Sequence, residues 1–98
     1  MSKTLELKPD ALAAAASAAS DYELKSPGLG HRFTQAVDSL LLRIAANPLH
    51  FGRLRGRARF AVVRKFPFLV LFVNQRHRIV VTAIVPSRSN PASWRMKP

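Results

Sequence analysis

Residues 60–94, FAVVRKFPFLVLFVNQRHRIVVTAIVPSRSNPASW, decide the fold, because nearly all the long apolar runs of the chain lie there. Phe60 to Val63, Phe68 to Val73 and Arg78 to Val85 are rich in β-branched and aromatic residues, which predicts three strands. Arg64-Lys65-Phe66-Pro67 separates the first pair and Asn74-Gln75-Arg76-His77 the second, and breaks this short suit antiparallel neighbours. The middle run, Phe68-Leu69-Val70-Leu71-Phe72-Val73, carries no polar residue on either face. It is expected at the centre of a sheet with helices on one side, its other side covered by the C-terminus or by a partner.

Upstream, LHFGRLRGRAR (49–59) is loosened by Gly52 and Gly56 and places Arg53, Arg55, Arg57 and Arg59 at alternate positions. If this loop is extended at its end, the four arginines share one face, since strand side chains repeat every two residues. The stripe is either a binding surface for phosphates or an acidic partner, or a solvated loop. Before it, Phe33, Val37, Leu40, Leu41 and Ile44 form one apolar stripe at helical spacing, with Arg32, Gln35, Asp38, Ser39 and Arg43 largely opposite. Asn47-Pro48 stops that helix, because a residue preceding proline is pushed out of the helical region.

Ser26-Pro27-Gly28-Leu29-Gly30 reverses the chain between this helix and an earlier one. The earlier helix is predicted over residues 9–23, with Pro9 in its first turn and Asp10 complementing the helix dipole. Its alanine-rich body has little bulk to bury, so it can approach a neighbour closely; Leu12, Ala16, Ala19 and Tyr22 are the expected packing positions, with Tyr22 an anchor. Thr4-Leu5-Glu6-Leu7-Lys8 alternates apolar and polar residues, the period of a half-buried strand. The fold class expected is α+β: a two-helix hairpin on a small, mainly antiparallel sheet in β-α-α-β-β-β order, with a short C-terminal segment.

Ninety-eight residues with 48% apolar content suit a single domain, residues 1–98, with a modest core. No cysteine is present, so disulfides and thiolate sites are excluded. His31, His50 and His77 are scattered without carboxylates at ligand spacing, and neither a metal nor another cofactor is expected. Ser17, Ser20 and Ser87 have no neighbouring base and acid to make a nucleophile. The N-terminus is polar and no apolar run approaches the roughly 20 residues of a spanning helix, so a cytoplasmic protein without membrane contact is expected.

The net charge of +11 is unevenly distributed. Glu6, Asp10, Asp21, Glu23 and Asp38, all of the acids, precede residue 39, beside four bases; residues 39–98 hold twelve Lys and Arg and no acid. That second part cannot neutralise itself, so its field faces outward toward phosphates or an acidic protein.

The element order, together with PGLGHRF (27–33), RIAANP (43–48), RKFPF (64–68) and AIVPSRSNPASW (83–94), resembles the RelE/ParE superfamily of toxins from bacterial toxin–antitoxin pairs. The resemblance covers nearly the whole chain and implies one of two activities. RelE-like members cut messenger RNA on the ribosome with cationic side chains. ParE-like members poison DNA gyrase by binding it, and a cognate antitoxin neutralises the toxin.

Metal-free cleavage of RNA needs basic groups converging on the scissile phosphate, where negative charge develops. Carried over from the RelE-like pattern, the central-strand arginine falls at Leu69 and two lysines of the preceding strand fall near Phe60 and Val62. None of the three can hold a phosphate. Arg88 matches a nuclease arginine, but Trp94 stands at the tyrosine position, and an indole N–H only donates. The resemblance therefore implies a ParE-like, non-catalytic toxin with Arg64, Lys65, Arg88 and Trp94 as target-binding residues. The alternative is a ribosome-dependent endoribonuclease. As a terminal aromatic after Asn-Pro, Trp94 suits a plug over the sheet better still, and Arg88 suits equally a cap on backbone carbonyls. Pro86 replaces a histidine of many relatives, so nothing here rests on an imidazole at that position.

Overall fold

The structure is a computed structural model and describes residues 3–88. The alternation at residues 4–7 forms strand β1 (Thr4–Leu7), and Pro9 opens helix α1 (Pro9–Lys25) with Asp10 in its first turn and Lys25 in its last. Helix α2 (Leu29–Ala46) follows and ends where the Asn47 N–H donates to the Arg43 carbonyl at 3.0 Å. A single 3-10 turn (Pro48–His50) leads into four strands, β2 (Gly52–Arg55), β3 (Ala58–Val62), β4 (Phe68–Asn74) and β5 (Arg78–Pro86). They form one sheet in the order β1-β5-β4-β3-β2, with β1 parallel to β5 and the other pairs antiparallel.

Two expectations are corrected, and a third falls outside the described residues. The LHFGRLRGRAR stretch is not a loop: it contains β2, so the order gains a strand. An edge strand with one apolar side chain, Leu54, has no amphipathic signature to detect. The packed face of α1 is Ala11, Ala15, Ala18, Ala19 and Tyr22, whereas Leu12 is 60% exposed and Ala16 lies outside. On a helix so rich in alanine the pattern carries almost no polarity contrast, and the small residues are the ones that let its backbone sit against the sheet. The proposed C-terminal segment, with Trp94, lies outside the described residues.

The turn between the helices explains the Pro-Gly-Leu-Gly motif. Gly28 takes a φ of 86°, a left-handed conformation that disfavours side chains. Gly30 packs so closely that a Cβ on it would lie 2.3 Å from the Ala19 carbonyl oxygen. Helix α2 has no N-cap side chain of its own; Glu23 of α1 supplies it, accepting from the Gly28 N–H at 2.9 Å and the Gly30 N–H at 3.0 Å. The Gly28 N–H is the main cause of a Glu23 pKa held below its ordinary value of 4.5; Gly30 and the His31 N–H and charge add to it, against some desolvation pushing upward.

A carboxylate with a lowered folded pKa adds stability above its unfolded pKa and loses it as pH falls through the folded value. Glu23→Ala is therefore expected to lower the melting temperature at neutral pH, with the gap to the parent closing as pH falls below 4.5. Thermal melts over a pH series check this. A gap independent of pH would show that the carboxylate charge does not cap α2.

Both helices lie on one face of the sheet. From α2 come Phe33, Val37, Leu40 and Ile44; from the sheet come Ala61, Val63, Val70, Phe72, Ile79, Val81 and Ile84. The inward set on β5 shifts from odd to even numbers at a bulge, where Leu71 pairs with Ala83 and Phe72 with Val81, leaving Thr82 without a partner in register. The Thr82 hydroxyl donates to the Leu71 carbonyl at 3.3 Å. At the far edge, Lys3 Nζ donates to Asn74 Oδ1 and the Gln75 carbonyl, both at 2.6 Å, and Arg78 pairs with Glu6 at 2.6 Å, tying β1 to the β4–β5 turn and β5. The Arg78–Glu6 pair is half exposed and contributes at most about 1 kcal/mol.

Candidate functional site

On β3, β4 and β5 the second face of the sheet, away from the helices, carries three rows read from the register: Ala58-Val73-Val80, Phe60-Leu71-Ala83 and Val62-Leu69-Val85, with Arg55 of β2 beside Ala58 and Glu6 of β1 beside Val80 at the margins. On the three strands every side chain of these rows is apolar. Val62 lies directly opposite Leu69, and Phe60 stands two residues along β3 on the same face. The three positions at which the nuclease pattern would carry Lys or Arg are thus brought together, and what they form is a hydrocarbon surface. Nothing in this trio can donate to an oxyanion or move a proton.

The cations lie at the margins. Residues 64–67 turn tightly between β3 and β4, closed by the Val63 N–H to the Phe68 carbonyl at 2.9 Å and the Phe68 N–H to the Phe66 carbonyl at 2.8 Å. Lys65 has a φ of 68°, unusual for a residue with a side chain. The turn is held by Phe66, whose ring lies 5.1 Å from that of Tyr22 and 5.2 Å from that of Phe33, both edge-on. With Phe66 anchored inward, Arg64 and Lys65 stand exposed.

Arg88 reaches the same corner by a different route. Pro86 pairs with Phe68 in register, and the Ser87 N–H donates to the Pro67 carbonyl at 2.8 Å, so Arg88 is the residue after a direct link to the turn. Of the four residues predicted to bind a target, Arg64, Lys65 and Arg88 are gathered at one end of the sheet, and Trp94 lies outside the described residues.

The arginine stripe does not form as one face. The four residues are split over a hairpin: Arg53 and Arg59 are cross-strand partners, Arg55 pairs with Ala58 beyond an irregularity, and Arg57 sits in the turn. Arg59 is half-buried and donates to the Phe51 carbonyl at 2.7 Å, and Arg53 donates to the Gly56 carbonyl at 3.3 Å. Two of the four therefore brace the hairpin, while Arg55 and Arg57 remain exposed. The assumption of one continuous strand fails because Gly56, at a φ of 55°, reverses the chain in mid-stretch.

Two further cations, which helical periodicity places on the side of α2 opposite its apolar stripe, join this corner. Arg32 and Arg43 line a cleft of about 610 Å³ between α2 and the β3–β4 turn, opposite Arg64 and Lys65, with Leu40 and Val62 among the apolar lining. The guanidinium of Arg43 also lies 5.5 Å from the centre of the Phe51 ring. The spacing of Arg32, Gln35, Ser39 and Arg43, three then four then four, marks one row on the helix and was the available signal.

Elsewhere, His31, His50 and His77 are all exposed. Among the described residues no group of three His, Cys, Asp or Glu is placed to hold a metal ion, and no helix is long and apolar enough to cross a membrane.

Neither a family model nor a curated protein matches the sequence. The fold does match a solved structure, "Chromosomal ParDE TA system from P. aeruginosa", with a TM-score of 0.76 over 86% of this chain and 95% of that chain, at 16% identity. The chain therefore has the architecture of that structure, two helices on a five-stranded, mostly antiparallel sheet.

Proposed function

We propose that this chain is the toxin of a type II toxin–antitoxin pair, that it acts in the cytoplasm by binding DNA gyrase, and that a cognate antitoxin neutralises it. The shared fold supports the toxin class. The observation that carries binding over cleavage is the hydrocarbon surface made by Phe60, Val62 and Leu69, where a ribonuclease would need cations to stabilise the phosphate. A binding toxin loses nothing by that replacement. Its requirement is a rigid, exposed surface, and the Arg64–Lys65 turn beside Arg88 has that character. An antitoxin with an acidic, partly disordered segment fits the excess of positive charge and would fold on contact.

Induction of the chain in bacteria without an antitoxin tests the reading. Growth arrest with early DNA-damage signalling, while protein synthesis continues through the first minutes, is the expected course. Early translation arrest with cut messages would instead establish the ribosome-dependent endoribonuclease. Arg88→Ala is expected to abolish growth arrest while leaving the melting curve unchanged. Arrest at the parental rate would remove Arg88 from the site.

A further inference from the structure

We infer that the end of the sheet carrying the turns at residues 56–57 and 74–77 is a sequence-independent binding site for the phosphodiester backbone of duplex DNA. It lies apart from the target-binding corner of the proposed function, since the seven residues of β4 put about 23 Å between the two ends. Topology assembles it. The β2–β3 and β4–β5 turns fall at the same end of the sheet, and the Asn74 N–H donates to the Arg57 carbonyl at 3.2 Å, joining them. Arg57 from one turn and Arg76, His77 and Arg78 from the other line a hollow of about 400 Å³.

The second turn is held in place. The Gln75 N–H donates to the Arg78 carbonyl at 2.9 Å, which leaves Arg76 and His77 at the tip. Lys3 Nζ donates to the Gln75 carbonyl at 2.6 Å, so a half-buried cation is fixed beside the turn. Arg78 is oriented by Gln75 Oε1 at 2.9 Å and by Glu6 at 2.6 Å. Arg57 and Arg76 are exposed, and among the described residues neither is ion-paired. Guanidinium groups in this state can each take a phosphate, and the counterions released from the duplex drive association without any base contact.

Two other occupants fit less well. An acidic peptide docks through apolar anchors, and Val73 is the one apolar side chain lining the hollow among the described residues. An unpaired strand stacks its bases on aromatic faces, yet no Phe, Tyr or Trp of the described residues lines it. A duplex backbone asks only for fixed cations.

The test uses the whole purified chain and a short fluorescent DNA duplex of arbitrary sequence, titrated by anisotropy over a series of salt concentrations. The comparison probes are one strand of that duplex alone and a glutamate oligomer of equal charge. The duplex is expected to bind at least about tenfold tighter than the oligomer, and tighter than the single strand. Arg57→Gln and Arg76→Gln should each weaken it about threefold or more and lower the slope of log affinity against log salt by about one. Lys25→Gln removes the same charge at the opposite end, where Lys25 lies 5.5 Å from the Tyr22 ring and Tyr22 meets Phe66, and should leave affinity within about twofold. Glu6→Gln, which deletes the carboxylate paired with Arg78, should tighten binding about twofold or more. Circular dichroism of each variant verifies the fold.

Equal losses for Arg57→Gln, Arg76→Gln and Lys25→Gln would overturn the site, because the charge of +11 would then be attracting DNA diffusely. Tighter binding of the single strand or of the glutamate oligomer would overturn it too, as would weaker binding by Glu6→Gln. The titration reads DNA and the induction experiment reads growth, so either this site or the proposed function can fall without the other.

Discussion

Phe33→Ala is expected to remove a large share of the protein's stability. Phe33 is fully buried and its ring lies 5.2 Å from Tyr22, 5.2 Å from Phe66 and 5.0 Å from Phe68, so one side chain joins α1, α2, the β3–β4 turn and β4. Truncating a buried phenylalanine costs about 3–5 kcal/mol. A domain of this size has a total stability of about 5–15 kcal/mol. Urea unfolding monitored by circular dichroism should show the midpoint collapsing, while Phe33→Leu, which keeps most of the volume, loses much less. A loss below about 1 kcal/mol for the alanine variant would mean that the aromatic cluster does not hold the turn in place.

The second large effect is functional. Arg64→Glu combined with Lys65→Glu should abolish growth arrest, because a like-charge contact at a docked surface costs several kcal/mol, on the order of a hundredfold or more in affinity. The melting temperature should hardly move, since both side chains are exposed and neither carries an ion pair among the described residues. Lys65→Gly sharpens the contrast. Relief of the left-handed conformation at φ 68° should raise stability by about 1 kcal/mol while removing a charge from the binding surface. Opposite signs for stability and growth arrest separate a functional turn from a structural one. If arrest survives the double charge reversal, the turn is not the binding surface.

The parts of the fold that could be read from sequence are those whose polarity contrast repeats locally. Phe33, Val37, Leu40 and Ile44 mark the buried face of α2, and the runs of β4 and β5 announce themselves by β-branched and aromatic content. Where contrast is missing the reading fails. Helix α1 is so nearly all alanine that its inner and outer faces look alike, and Leu12 points outward against expectation. Strand β2 holds a single apolar residue between arginines and lies at the sheet edge.

The candidate site divides in the same way. Arg64 and Lys65 stand out in the sequence because they interrupt apolar runs at a strand end, and Arg88 through the resemblance of residues 83–94. Arg32 and Arg43 do not, since their role depends on a turn more than twenty residues further along the chain packing against α2. Glu23 was equally hidden: it caps not its own helix but the next one, across a turn that only two glycines permit. Tertiary proximity of this kind leaves no periodic trace.

The central claim is that the chain acts by binding and not by cutting, and one paired assay addresses it directly. Purified chain is added to DNA gyrase with relaxed plasmid, and in parallel to ribosomes programmed with messenger RNA. Loss of supercoiling at stoichiometric amounts, with the message intact, is the predicted result. Cleaved message with undisturbed supercoiling would contradict it, and would mean that cations elsewhere than at positions 60, 62 and 69, which hold Phe, Val and Leu, perform the chemistry.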